Sequence, residues 1–240
     1  MSPAPMFRRP GRSCPSLRPG MLLAAVLSAA LVAGCAQRLP APEWELNARG
    51  AADRATQAFL SGNDRVAAQE WWRAREETAR TARPDLLARV VLLECATQVA
   101  SLAQVGCPDF AALRGGAAAA ERAYADYLEG RAGAAEAELL PPAQQAVQAG
   151  GAPALAGVQE PLARLVAAAV LHVRGQDGSD VSRHAIDAAS SRGWRRPLMA
   201  WLLLAERNAR AAGDGLRADD LQQRLDVLDQ AGPGGAGGSR

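Results

Sequence analysis

Apolar positions recur every three or four residues through most of residues 46–230, in a series of short segments. Glycine, proline, asparagine or aspartate separates one segment from the next, as at Gly62–Asn63 and Gly213–Asp214. This spacing is typical of amphipathic helices, and these residue types end helices. No segment shows the alternating β-branched and aromatic residues that strands need. The pattern therefore predicts an all-α fold of antiparallel helical hairpins.

Three regions depart from this amphipathic pattern. Residues 84–102 carry apolar side chains on nearly every side, which predicts the most buried helix of the fold. Residues 141–161 are rich in proline, glycine and alanine, and they predict a loop region, with room for one or two helical turns, that interrupts the helical series. Residues 231–240, with the sequence AGPGGAGGSR, predict a disordered tail.

Residues 1–34 predict a secretory signal peptide. The first 20 residues contain four arginines and no acid, and residues 21–33 are apolar apart from Ser28. This apolar run of 13 residues is shorter than the roughly 20 residues that a spanning helix requires. A buried core helix is the alternative, but the polar, proline-containing sequence that follows Cys35 disfavours it.

Cys35 ends the sequence LVAGC, which resembles the lipobox of bacterial lipoproteins. The resemblance implies that the peptide is cut before Cys35, whose thiol and new amino group receive acyl chains. More than one chain gives a stable membrane anchor. Residues 35–45 are then a lipidated cysteine and its tether, and residues 46–230 form the helical domain. Because Ala36, and not aspartate, follows the cysteine, the resemblance implies the periplasmic face of the outer membrane.

The helical segments resemble degenerate tetratricopeptide repeats. Gly62–Asn63 is followed by Ala67, Trp71 and Ala74 at the offsets that this family uses, and partial matches surround Gly130 and Gly213–Asp214. The resemblance implies a tetratricopeptide-like array over most of residues 46–230, degenerate and interrupted near 141–161. A generic helical bundle is the alternative. Concave surfaces of helical repeats bind peptides and proteins, so the array implies an interaction scaffold.

The charge gives no indication of nucleic-acid binding. Residues 1–34 hold four of the 27 basic residues and none of the 25 acidic ones, so the mature chain changes from +2 to about −2. A basic patch of the kind that binds phosphate backbones is therefore not expected.

Two cysteines remain in the mature chain after Cys35, namely Cys95 and Cys107. Disulfides persist in the oxidising compartment that the signal peptide implies. A bridge requires Cα atoms about 5.5 Å apart, which a straight helix rising 1.5 Å per residue would prevent. We therefore predict that the helix ends near Leu102 and that the chain reverses through residues 103–106, which Gly106 and Pro108 permit. Two free buried thiols are the alternative.

The sequence contains no recognisable catalytic or metal-binding motif. The G-x-S-x-G, Walker, H-E-x-x-H and C-x-x-C patterns are absent. His172 and His184 fall in different predicted helices, and we interpret them as packed or surface residues. We predict no catalytic residue, no metal and no cofactor. The candidates for a catalytic carboxylate in a helical glycan-cleaving enzyme are Glu121, Glu129, Glu136 and Glu138, and no substrate-positioning motif accompanies them.

Tryptophans are the remaining candidates for binding. Trp71 and Trp72 are adjacent, so they point about 100° apart on a helix and cannot both face one core. Trp71 matches the core offset, whereas Trp72 is either a packing residue between repeats or an exposed anchor for a partner. Trp194, beside Arg195, is a similar candidate.

Together these patterns predict a lipid-anchored periplasmic scaffold that binds an envelope protein of unknown identity. A structural envelope lipoprotein without a dedicated partner is one alternative. A helical peptidoglycan-processing enzyme without a recognisable signature is the other.

Overall fold

The computed structural model describes residues 40–103, 106–176 and 178–230, and all regular structure in these residues is helical. The described helices belong to a compact unit that begins at Pro42. The elements, in chain order, are α1 (Glu43–Ser61), α2 (Asp64–Ala79), α3 (Pro84–Ala100), a 3-10 helix (Pro108–Leu113), α4 (Ala119–Leu128), α5 (Ala134–Ala137), α6 (Pro142–Gly150), a second 3-10 helix (Ala152–Gly157), α7 (Pro161–Val173), α8 (Ser179–Arg192), α9 (Arg195–Ala211) and α10 (Gly215–Gln230). The all-α prediction is confirmed.

Helix ends follow the expected chemistry of proline, asparagine and glycine. Pro84 and Pro161 stand in the first turns of α3 and α7, where a missing N–H removes no helical hydrogen bond. Asn63 caps α2 because its side chain accepts a hydrogen bond from the backbone N–H of Val66 at 3.3 Å. Gly62 ends α1 with φ of 91°, a conformation that side chains disfavour. These signals fix a tight turn between α1 and α2.

Two predicted boundaries are wrong. The helical domain begins at Glu43 and not at residue 46, because Pro42 precedes the first turn of α1 and leaves Trp44 helical. The predicted loop at 141–161 contains the nine-residue helix α6 and a 3-10 helix. Pro142 starts α6 at a position that tolerates proline, and the helix extends to Gly150. The proline pair that indicated a break is therefore the start of a helix.

The core is built around α3 and α7. Residues Leu165–Leu171 of α7 are all buried, whereas α3 mixes buried and half-buried residues with the exposed Pro84 and Arg89. The expectation that α3 is the most buried helix is therefore wrong, since α7 is enclosed more completely. A smaller cluster joins α1 to α2 through Trp71 and five alanines, which let the two helices approach closely.

Helices far apart in the chain also pack together. α3 contacts α7, and α1 contacts α9. At the second junction, the Nε of Arg196 donates a hydrogen bond to the carbonyl of Phe59 at 2.7 Å. The Arg196 guanidinium also lies 4.3 Å from the centre of the Phe59 ring. An array in which each repeat contacts only its neighbours lacks such junctions.

Cys95 and Cys107 form a disulfide, as predicted. Helix α3 ends at Ala100, and Leu102 takes a φ of 53° where the chain reverses. The two Cα atoms are 5.6 Å apart. Beside this bridge, Arg75 of α2 donates hydrogen bonds to Glu94 at 2.5 Å and to Asp109 at 3.0 Å. The turn after α3 is therefore held both covalently and by ion pairs.

The predicted signal peptide of residues 1–34, the lipidation site Cys35 and the tail of residues 231–240 lie outside the described residues. Among the helices of the described part of the chain, none combines the length and hydropathy needed to cross a membrane.

Candidate functional site

Two adjacent cavities open on the face formed by α1, α3 and α4. The first, of about 470 Å³, lies between α1 and α3, and the second, of about 300 Å³, lies between α3, α4 and residues 139–141. Arg89 and Leu93 line both cavities, so the two are neighbours on one face, and we call them together the α3 groove. Its apolar lining consists of Trp44, Ala48, Ala52, Leu86, Val90, Leu92, Leu93, Ala120, Tyr124, Leu139 and Pro141.

The helical period explains why these side chains share one face. Leu86, Val90 and Leu93 follow one another at spacings of four and three residues on α3. Trp44, Ala48 and Ala52 follow one another at spacings of four residues on α1, and the two alanines leave room beside them. The signal for this groove was the apolar character of α3 on every side. Because no other helix of the described residues covers one of those sides, that side of α3 lines a surface depression instead of the core.

Ion pairs border the groove. Arg49 contacts Glu45 at 2.8 Å, and Arg83 contacts Asp85 at 2.6 Å. The hydrogen bond from Arg83 lowers the pKa of the Asp85 carboxyl. The border is therefore polar and internally neutralised, while the floor is apolar, as in typical binding clefts.

Glu121 supplies a buried carboxylate at the second cavity. Its residue is 7% exposed, and its Oε1 accepts a hydrogen bond from the Nε of Arg89 at 2.7 Å. Its Oε2 accepts no hydrogen bond from the described protein groups. Tyr124 lines the same cavity, and burial raises the pKa of its hydroxyl, with a smaller contribution from Glu160. Of the four glutamates singled out in the sequence, Glu121 alone lines this cavity, among the described residues.

Of the three predicted partner-binding residues, one is exposed and two make hydrogen bonds within the fold. Trp72 is 61% exposed and lies on α2, away from the α3 groove. Trp194 is 3% exposed, so the prediction that it is an exposed anchor is wrong. Gly193 turns the chain before Trp194. The indole Nε1 of Trp194 donates a hydrogen bond to the side chain of Gln57 of α1 at 3.0 Å. Arg195 donates a hydrogen bond to the backbone carbonyl of Leu228 and thereby joins α9 to α10.

The histidines are placed apart. His172 lies edge-on to Trp201 with ring centres 6.2 Å apart, whereas His184 lies beside Arg183 on α8. Burial, followed by Arg183 and Arg164, lowers the pKa of His184. Within residues 40–103, 106–176 and 178–230, no group of three His, Cys, Asp or Glu side chains is placed to hold a metal ion.

Comparison with protein-family models, with curated proteins and with solved structures finds no match to this chain.

Proposed function

We propose that the mature chain is a lipid-anchored scaffold of the bacterial cell envelope that binds a protein partner in the α3 groove. The LVAGC sequence after a short apolar run supports acylation of Cys35, and Ala36 supports the periplasmic face of the outer membrane. The helical domain, which begins at Glu43, then lies close to the membrane on a short tether.

The apolar α3 groove carries this proposal. Its two neighbouring cavities have volumes of about 470 and 300 Å³, Leu93 lines both, and the floor is apolar along parts of three helices. An amphipathic helix or an apolar peptide segment buries its side chains in grooves of this kind. We therefore expect the partner to present a row of apolar residues.

Two features favour binding over glycan cleavage. Most glycan-cleaving enzymes place two carboxylates on either side of the bond that breaks. At the second cavity, Glu121 is the single acidic residue among those described, and Arg89 already occupies one of its oxygens. The first cavity is lined by two acidic residues, Glu45 and Asp53. Glu45 is already paired with Arg49, so the two do not form a pair of free carboxylates.

Within this proposal, the α1–α2 and α9–α10 hairpins are degenerate tetratricopeptide-like units. Each turns at a glycine of positive φ, Gly62 at 91° and Gly213 at 76°. Ala67 and Ala218 stand at equivalent offsets after these turns and are buried. The packing of α1 on α9 distinguishes the chain from an open superhelix of such units.

In-cell crosslinking of the tagged, lipidated protein, followed by affinity purification and mass spectrometry, tests the proposal. Leu139 lines the groove and is 43% exposed, so Leu139→Glu places a charge on the groove without disturbing the core. We expect this variant to lose at least about tenfold of the captured partner, since a charge buried in an apolar contact costs more than 1.4 kcal/mol.

Leu216→Glu is the matched control, because Leu216 is highly exposed on α10, outside the groove. It should capture the partner at the level of the natural protein. Equal capture by both variants would remove the groove from the proposal. Capture no greater than that of an unrelated lipoprotein would leave the structural-lipoprotein alternative.

A further inference from the structure

The two large apolar side chains of α1 and α2 that remain most exposed lie together. Trp72 and Leu46 are 61% and 56% exposed, and both line a shallow surface cavity of about 420 Å³ between α1 and α2. Trp71, the preceding residue, fills the small core between the same helices. We call Trp72 and Leu46 the Trp72 patch. Most of the other residues that line this cavity are polar or charged, so its large apolar side chains are Trp72 and Leu46.

The Trp72 patch lies on the side of α1 opposite to the α3 groove. Trp44 and Ala48 line the groove, and Leu46 stands two residues from each of them. Two residues correspond to about 200° around a helix, so Leu46 points nearly away from the groove. A ligand of the patch therefore leaves the groove open to the partner.

Leu46 of the patch is also close in the chain to the proposed lipid anchor. Leu46 stands in the first turn of α1, and Pro42 follows Cys35 by seven residues. Even a fully extended segment of that length spans at most roughly 25 Å. Acylation of Cys35 therefore restricts this end of the α1–α2 hairpin to the neighbourhood of the bilayer surface.

Charges around the patch balance one another. Arg54 and Arg73 both pair with Glu70, at 2.9 and 3.1 Å, and Arg80 pairs with Glu77 at 3.0 Å. With Glu76, the described surroundings of the patch hold three arginines and three glutamates. Such a surface has no net attraction to anionic lipid. Its binding energy must come from the apolar side chains.

We infer that the Trp72 patch docks on the surface of the bilayer that holds the acyl chains of Cys35. Tryptophan concentrates at membrane–water interfaces because its ring is apolar and its N–H is polar. Docking fixes the α1–α2 hairpin against the membrane and directs the α3 groove toward the periplasm. This inference rests on the proposed lipid anchor of Cys35.

The test uses the full-length lipidated protein reconstituted in phosphatidylcholine vesicles whose acyl chains carry bromine near the headgroups. Bromine quenches tryptophan fluorescence on contact. Trp44 lines the α3 groove on the opposite side of α1, so Trp72 is the tryptophan that docking brings to the bilayer, and Trp72→Phe should remove most of the bromine-dependent quenching. Adding phosphatidylglycerol or raising the salt concentration should leave the quenching unchanged, because the patch is neutral.

Trp194→Phe is the control, because it removes a buried indole and should leave the bromine-dependent quenching unchanged. Mass spectrometry of the N-terminal peptide reports the anchor separately. Acyl chains on Cys35 together with equal quenching in Trp72→Phe would overturn the docking and keep the anchor. A peptide without acyl chains would overturn both. A photocrosslinker at position 72 that captures an envelope protein and no lipid would also overturn the docking.

Discussion

Trp201 completes the end of the central helix α3. Its indole is fully buried, and its Nε1 donates a hydrogen bond to the carbonyl of Ala100 at 3.0 Å. Ala100 is the last residue of α3, and carbonyl groups at the end of a helix lack partners within that helix. One side chain of α9 therefore both fills the core and satisfies a buried acceptor.

Replacing Trp201 with Phe should destabilise the protein by about 2–4 kcal/mol, since it opens a cavity and leaves the Ala100 carbonyl without a donor. The melting temperature, measured by circular dichroism, should fall by roughly 4–16 °C for a domain of this size. Trp72→Phe is the control, because the exposed Trp72 should change stability by less than about 0.5 kcal/mol. A similar melting temperature for both variants would contradict this account of Trp201.

Two other tryptophans, Trp71 and Trp194, show what local sequence patterns determine. The core position of Trp71 follows from its helical offset to Ala67 and Ala74, and the structure buries all three. The burial of Trp194 does not follow from its neighbours, because its hydrogen-bond partner Gln57 is 137 positions away. Local sequence predicts which side of a helix a residue occupies. It does not predict which distant helix covers that side.

Helix boundaries were predictable wherever capping chemistry is local. Gly62 and Asn63 fix the α1–α2 turn, and the end of α3 before Leu102 was expected from the need to bring Cys95 near Cys107. The prediction failed at α6, because a proline pair both breaks a preceding helix and starts the next one. The expectation that α3 is the most buried helix was also wrong. Apolar residues on every side of a helix fit a buried core and fit an apolar groove at the surface equally well.

The disulfide of Cys95 and Cys107 should stabilise the turn after α3. It closes a loop with a sequence separation of 12 residues, and constraining such a loop in the unfolded chain contributes about 3 kcal/mol. The double variant Cys95→Ala/Cys107→Ala should lose that amount in urea unfolding. In the native protein, thiol-blocking reagent without reductant should leave both cysteines unmodified. Two alkylated thiols would show that the bridge does not form in the cell.

For the whole molecule, the groove could not be predicted from any one element. It requires α1, α3 and α4 to lie side by side, and α3 to remain uncovered on one side by the residues described. Packing of distant helices decides both conditions. The resemblance to tetratricopeptide repeats implied a concave surface, but it did not indicate which helices line it.

The proposed lipid anchor also concerns the whole molecule, because acylation of Cys35 would determine where the groove is presented. Cys35→Ser should abolish incorporation of labelled fatty acid and leave an unprocessed precursor, since the lipid attaches to the thiol. Cys14→Ser is the control: Cys14 falls inside the predicted signal peptide and should not affect labelling. Unchanged labelling of Cys35→Ser would refute the anchor.

The contact of α1 with α9 has a consequence for the order of folding. Trp194 and Arg196 complete the surroundings of Gln57 and Phe59, each across 137 positions of the chain. Contacts between such distant residues slow folding, because a long loop must close before they form. A chain made or exported from its N-terminus holds its first hairpin unfinished until α9 emerges. Truncation after α8 should therefore damage the beginning of the fold as well as its end, whereas an open repeat array would lose only its last units.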